Sequence, residues 1–224
     1  MKKGKDGFYC RYIKRVLDTA FALLAMIVLS WLYALIAVAI RAQMGSPVIF
    51  RQERPGKNEK IFKLYKFRTM TEKRDENGNL MPDEIRLTRL GLFLRSTSLD
   101  ELPQLLNIVH GDMAIVGPRP LMVRYLPYYT KEERHRHDVR PGLTGLAQIN
   151  GRNSVKWEEK FDMDLNYIRC VSFTNDFRII AATIKAVATR RNTDVGSFIE
   201  KNGIAYRALD VERIHTASEL PKGA

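Results

Sequence analysis

Residues 20–40 read AFALLAMIVLSWLYALIAVAI, from Ala20 to Ile40, without one charge. Thr19, Ser30, Trp31 and Tyr33 are the only polar or amphipathic interruptions nearby. This is roughly the 20 residues that a bilayer crossing needs, so the run predicts a membrane element. No small-x-small cleavage motif with a polar start follows it, so the run reads as retained. Both flanks are basic: Lys2, Lys3, Lys5, Arg11, Lys14 and Arg15 come before, and Arg41, Arg51, Arg54 and Lys57 after. Positive charge marks the cytoplasmic side, which predicts a helix that enters, bends and returns to the same face. Ser30, near the midpoint, is the expected bend, because its hydroxyl can bond to the carbonyl one turn back.

Outward from this run, the 224 residues leave room for one further domain. The expected division is a re-entrant membrane-associated helix over 1–45, a catalytic domain over 46–207 and a polar tail over 208–224. The net charge of +12 calls for a polyanionic partner, whether nucleic acid, membrane lipids or phosphorylated substrates. No helix-turn-helix, RNA-binding or zinc-finger pattern is present, which argues against nucleic acid. Cys10 and Cys170 match neither a disulfide framework nor a zinc site. A membrane-anchored nucleic-acid binder and an inert scaffold of a polysaccharide complex are the competing functional readings.

After the run, Val48–Gln52 and Ile61–Met70 are rich in β-branched and aromatic residues and flank Arg54-Pro55-Gly56-Lys57-Asn58, so they predict a β-hairpin with its turn there. Alternation puts Phe62, Leu64, Lys66, Arg68 and Met70 on one face. Lys66 and Arg68 then read either as a solvated strand face or as a clamp for phosphate oxygens. Residues 71–84 predict a surface loop, and Ile85 to Leu94 a basic amphipathic helix, packed on the domain core or lying at the membrane surface. Trp157–Ile168 and Phe177–Ala188 predict two more helices, the latter with Phe177, Ile180, Ala181, Ile184 and Val187 on one face. The expected fold class is therefore helix-rich α+β, with a small hairpin and amphipathic interfacial helices.

Three segments carry candidate chemistry. Ser98-Leu99-Asp100-Glu101 opens a predicted helix and matches a capping box, with the acids complementing the helix dipole. Pattern alone favours capping, yet the same pair can also supply a nucleophilic carboxylate and a magnesium ligand. Gly117-Pro118-Arg119-Pro120 holds an arginine between two prolines, a loop that costs little entropy to position. Arg140 to Asn153, which includes Gln148 and Arg152, is a Gly-rich loop with basic and amide donors at both ends.

In order along the chain, Lys14-Arg15-x-x-Asp18, Gln52-x-Arg54-Pro55-Gly56, Phe62-Lys63-x-Tyr65-Lys66-Phe67-Arg68-Thr69-Met70, Ser98-Leu99-Asp100-Glu101-Leu102, Gly111-Asp112-Met113, Gly117-Pro118-Arg119-Pro120 and Arg140-Pro141-Gly142-x-Thr144-Gly145 through Gly151-Arg152 resemble the bacterial sugar transferases that act as monotopic polyprenol-phosphate phosphoglycosyl transferases. The resemblance runs from about Arg11 to about Ala188. It implies attack by Asp100 on the sugar-proximal phosphorus of a UDP-sugar, release of UMP, and transfer of the phosphosugar to polyprenyl (undecaprenyl) phosphate. It further implies Mg2+ held by Glu101 with Asp100, phosphate contacts from Lys66, Arg68 and Arg152, and a nucleotide bordered by Pro118, Arg119 and Pro120. Gln148 joins these as a substrate-binding candidate. The implied location is the cytoplasmic face of the bacterial inner membrane. Where the family usually carries Ser-Pro in the membrane segment, this chain has Ser30-Trp31.

Overall fold

The computed structural model describes residues 4–150 and 156–189. A 3-10 turn, Gly4–Asp6, and a π-helical turn, Tyr9–Ile13, lead into α1 (Lys14–Val28), and α2 (Ser30–Met44) follows after one residue. The axis bends by 63° at this break, and no single helix among the described residues is long and apolar enough to cross a membrane. Leu29 (φ −94°, ψ 7°) leaves the helical region while its N–H still bonds to Ala25. The bend therefore falls one residue before Ser30, whose hydroxyl has no partner among the described residues. Ile27, Val28 and Trp31 stand exposed around it.

The hairpin follows as β1 (Ile49–Pro55) and β2 (Ile61–Phe67), paired antiparallel with Gln52 opposite Leu64 and Arg54 opposite Phe62. The turn lies two residues later than the sequence suggests. Asn58 takes a left-handed conformation there (φ 54°), one an asparagine tolerates, and the Gly56 N–H closes the turn on the Lys60 carbonyl. Arg54 is consequently a strand residue. Beyond β2 come α3 (Asp83–Arg86) and α4 (Arg89–Ser96), separated where the Thr88 hydroxyl caps α4 by accepting from the Gly91 N–H at 2.9 Å. Ile85, Leu92 and Phe93 are exposed, whereas Leu94 is buried against α2. The preceding loop is ordered locally by Asp75, whose carboxylate accepts from the N–H groups of Asn77 and Asn79.

A 3-10 turn, Leu99–Glu101, leads to α5 (Gln104–His110), then to β3 (Ala114–Val116). Two further 3-10 segments, Val123–Tyr128 and Glu133–Asp138, precede β4 (Gly142–Thr144), which lies parallel to β3. Finally α6 (Leu146–Ile149), α7 (Trp157–Arg169) and α8 (Phe173–Ala188) close the domain. α8 begins four residues earlier than its apolar pattern suggests because Ser172 caps it. The predicted apolar face of α8 looks outward, with Phe177 and Ile184 exposed. The opposite side, led by Ile179 and Asp176, is buried.

Two fastenings set the geometry of the domain. Asn107, fully buried, accepts from the Tyr65 N–H at 3.0 Å and donates to the Lys63 carbonyl at 2.8 Å, locking β2 against α5. At the start of α1, Lys14 pairs with Asp176 at 2.5 Å and Asp18 at 3.6 Å, while Tyr9 and Tyr167 also donate to Asp176. The Arg15 guanidinium meanwhile donates to the carbonyls of Ile108 and Val109 in the last turn of α5. Lys14-Arg15-x-x-Asp18 thus ties the apolar helix to both ends of the domain.

Candidate active site

Asp100 and Glu101 sit in the 3-10 turn immediately before α5. They do not cap it: Ser98 adopts a left-handed conformation (φ 57°, ψ 16°) and its side chain makes no capping bond. A non-glycine residue held there costs about 1 kcal/mol or more, and such outliers are sustained by their surroundings. Here Leu99 and Leu102 pack on the apolar cluster formed by α2, β2 and α4, and the Tyr33 hydroxyl donates to the Leu102 carbonyl. α2 thereby holds the turn that carries the acids.

Glu101 Oε1 accepts from Lys66 Nζ and from Arg119 Nη2, both at 2.7 Å, and Lys66 Nζ stands 3.7 Å from Asp100 Oδ2. Both carboxylates are largely buried and Lys66 partly so, but 46% of the Arg119 side chain is open to solvent. Burial pushes the Asp100 carboxyl up, Lys66 opposes this, and Glu101 adds to it. Burial also works against ionisation of Glu101, yet Arg119 and Lys66 outweigh it and hold that carboxyl well below the usual range. The pair is therefore split by its surroundings into one firmly ionised, doubly bonded carboxylate and one poorly solvated neighbour.

The Arg119 loop is pinned through its backbone. The Gly117 N–H bonds to the Thr144 carbonyl, Pro118 accepts from the Gly142 N–H at 2.9 Å, and the Arg119 carbonyl accepts from Arg136 at 2.8 Å. A Cβ on Gly117 would lie 2.5 Å from the Arg140 carbonyl, so glycine is what allows this loop to cross β4. Pro118 and Pro120 are buried while Arg119 projects outward between them. Arg136 is itself buried and is held by Asp164 through two bonds of 3.1 and 2.7 Å.

Of the residues singled out from sequence, Asp100, Glu101, Lys66 and Arg119 converge. Arg68 turns away: it donates to the Met70 and Ser46 carbonyls and approaches Glu72 at 3.6 Å, a role in joining β2 to the end of α2. The shared face expected for Lys66 and Arg68 breaks because β2 ends at Phe67, after which strand alternation no longer applies. Gln148 is buried on α6 beside Gly145, which touches Gly117, and neither amide atom finds a partner among the described residues. Arg152 lies outside the described residues.

Sequence reading assigned no role to Arg54, Arg95, Arg136 or Asp164. Arg95 donates to the Thr69 hydroxyl at 3.0 Å and lies near enough to Asp100 to favour its ionised form. Arg54 is half-buried, with burial and the nearby Arg119 pulling its guanidinium down to about 10. Sequence places Arg54 in the turn, so no alternation assigns it to the Lys66 face; the observed register with Phe62 does.

No group of three or more His, Cys, Asp or Glu side chains among the described residues forms a metal cage. Two adjacent carboxylates still suit magnesium, which keeps several waters and is bound by one or two carboxylates together with substrate phosphate. Glu101 spends one oxygen on the cations and has a second.

A family model described as bacterial sugar transferase matches residues 9–190. The uncharacterized sugar transferase EpsL of Bacillus subtilis (strain 168) is 49% identical over 175 residues, covering 78% of this chain and 87% of that protein. The exopolysaccharide production protein ExoY of Rhizobium meliloti (strain 1021) is 38% identical over 197 residues, 80% of this chain and 87% of that one. The UDP-glucose:undecaprenyl-phosphate glucose-1-phosphate transferase of Klebsiella pneumoniae is 42% identical over 181 residues, 76% of this chain but only 39% of that longer protein. With its dyad, its arginine loop and this match over most of its length, the chain belongs to the bacterial sugar transferase family.

Proposed function

We propose that this protein transfers a sugar phosphate from a UDP-sugar to undecaprenyl phosphate, releasing UMP, as the priming step of exopolysaccharide or related glycoconjugate assembly. The observation that carries the reading is the buried Asp100-Glu101 pair facing Lys66 and Arg119, in a chain similar to transferases whose names specify that reaction. A carboxylate Oδ of Asp100 attacks the sugar-linked phosphorus, the bond to the UMP phosphate breaks, and UMP leaves with the electron pair. Undecaprenyl phosphate then attacks the same phosphorus, the Asp100–phosphorus bond breaks, and the carboxylate returns. Stripping solvent from Asp100 favours the first attack, while Lys66 and Arg119 offset the charge that gathers on phosphate oxygens. Glu101, with Asp100, would hold magnesium, which when bound neutralises charge on the diphosphate.

The bent α1–α2 pair supports re-entry into one leaflet from the cytoplasmic face. Its exposed apolar tip calls for lipid, and with that tip in lipid the Tyr33–Leu102 bond would keep the acids near the membrane surface. Cysteines near Gly4, at exposed Asp6, and at exposed Lys57, in a chain lacking Cys10 and Cys170, would both label from the cytoplasm. Periplasmic labelling at Asp6 would establish a span instead. UMP release with a panel of UDP-sugars tests the activity: release that requires undecaprenyl phosphate for turnover and stops on magnesium chelation is expected. Failure of every sugar would refute the reaction, and turnover indifferent to chelation would refute the metal.

A further inference from the structure

The geometry assigns to Arg54 a part in the proposed reaction: with Arg119 it binds the phosphate that leaves as UMP. The assignment rests on the UDP-sugar reading above and deepens it. Opposed residues of an antiparallel pair point to one side, so Phe50–Lys66, Gln52–Leu64 and Arg54–Phe62 share a face. Arg54 and Lys66 therefore stand at the two ends of one strand face, four residues or ~13 Å apart along the hairpin. Contacts link them: Glu101 bonds to Lys66, Arg119 bonds to Glu101, and Arg119 is near enough to Arg54 for their charges to interact. The order from the nucleophile outward is Asp100, Lys66, Glu101, Arg119 and Arg54. A diphosphate with its sugar-linked phosphorus at Asp100 would run along this row and meet the two guanidiniums with its other phosphate.

Three features of Arg54 point to an anion. Its Nε–H is enclosed and has no partner among the described residues, whereas Nη2 is held by Gln52 Oε1 at 2.7 Å, so the planar group is oriented yet has a donor to spare. It sits close enough to Arg119 for the two like charges to disfavour one another, and the described site sets four cations, Arg54, Arg119, Lys66 and Arg95, against two carboxylates. An oxyanion relieves both the repulsion and the unmet donor, and two forks side by side suit phosphate oxygens better than point charges do. On departure of UMP the oxygen released from the sugar-linked phosphorus carries the new charge, and this pair would be in place to receive it.

The test compares inhibition of the enzyme by UMP and by uridine, which differ only in the phosphate. Loss of a charged contact should weaken UMP by about 10- to 100-fold in Arg54→Gln while uridine is unchanged. Arg54→Lys should recover part of the UMP affinity, because it restores the charge without the fork. Equal weakening of both inhibitors, or full UMP affinity in the glutamine variant, would overturn the assignment while leaving the reaction standing. If Arg54→Gln fails to fold, Arg54→Lys decides alone: UMP affinity equal to wild type overturns the assignment, and a selective loss upholds it. Wild-type enzyme that releases no UMP and is not inhibited by it would overturn the reaction as well.

Discussion

Replacing Asp164 with leucine tests whether the arginine loop is held from beneath. Arg136 and Asp164 are buried, with side-chain exposures of 3% and 5%. Burial pushes the Asp164 carboxyl up despite the pull of Arg136, so the ionised pair contributes little over an apolar pair of similar size. Removing only the carboxylate is different, since it strands a buried guanidinium. Breaking a buried pair this way costs about 3–5 kcal/mol. Against a total stability of about 5–15 kcal/mol this is large, and it corresponds to a fall of ~10 °C in midpoint for a chain of this size. Adding Arg136→Met should restore most of that loss. Activity should stay low in the double variant, because the Arg119 carbonyl has lost the donor that fixes its loop. Denaturant unfolding in detergent followed by circular dichroism, alongside UMP release, measures both quantities. A loss below about 1 kcal/mol in the single variant, or a double variant with wild-type activity, would refute the reasoning.

Two further outcomes follow from the charges. Lys66 lowers the Asp100 pKa against the pull of burial, so Lys66→Met should shift the acid limb of the kcat/KM profile to higher pH. An unmoved limb would mean that ionised Asp100 does not limit the rate at low pH. His137, which meets the Gly56 carbonyl at 3.2 Å, is pulled down to about 4 by burial and the adjacent Arg136. The unfolded imidazole takes its proton near 6.5, so the stability present above that pH falls as pH drops from about 6.5 to 4, by ~3 kcal/mol. His137→Gln should flatten the unfolding free energy across this window, and an unchanged slope would show that His137 is not held neutral.

The parts of this architecture written in local pattern were readable from sequence. The charge-free run, the hairpin and the dyad each depend on neighbours a few residues apart, and all three appear. Long-range bonds decided what was not readable. Ser98-x-x-Glu101 has the spacing of a capping box, but Ser98 is left-handed and makes no capping bond, and Glu101 bonds to Lys66 and Arg119 instead. Arg68 and Lys66 differ only by the end of a strand, and no periodicity marks that end. Arg54 looked like part of a turn, because Pro55-Gly56 is a strong turn signal; two left-handed residues, Asn58 and Glu59, move the turn onward. The Arg136–Asp164 pair joins residues 28 apart and leaves no local trace.

In the proposed reaction Asp100 becomes covalently attached to the phosphosugar. Intact-protein mass spectrometry after incubation with UDP-glucose and magnesium, without lipid, should show a gain of one phosphoglucose on the wild-type chain. Undecaprenyl phosphate should then discharge it, and Asp100→Asn, correctly folded, should never acquire it. An adduct on the asparagine variant, or turnover by that variant at the wild-type rate, would contradict the account.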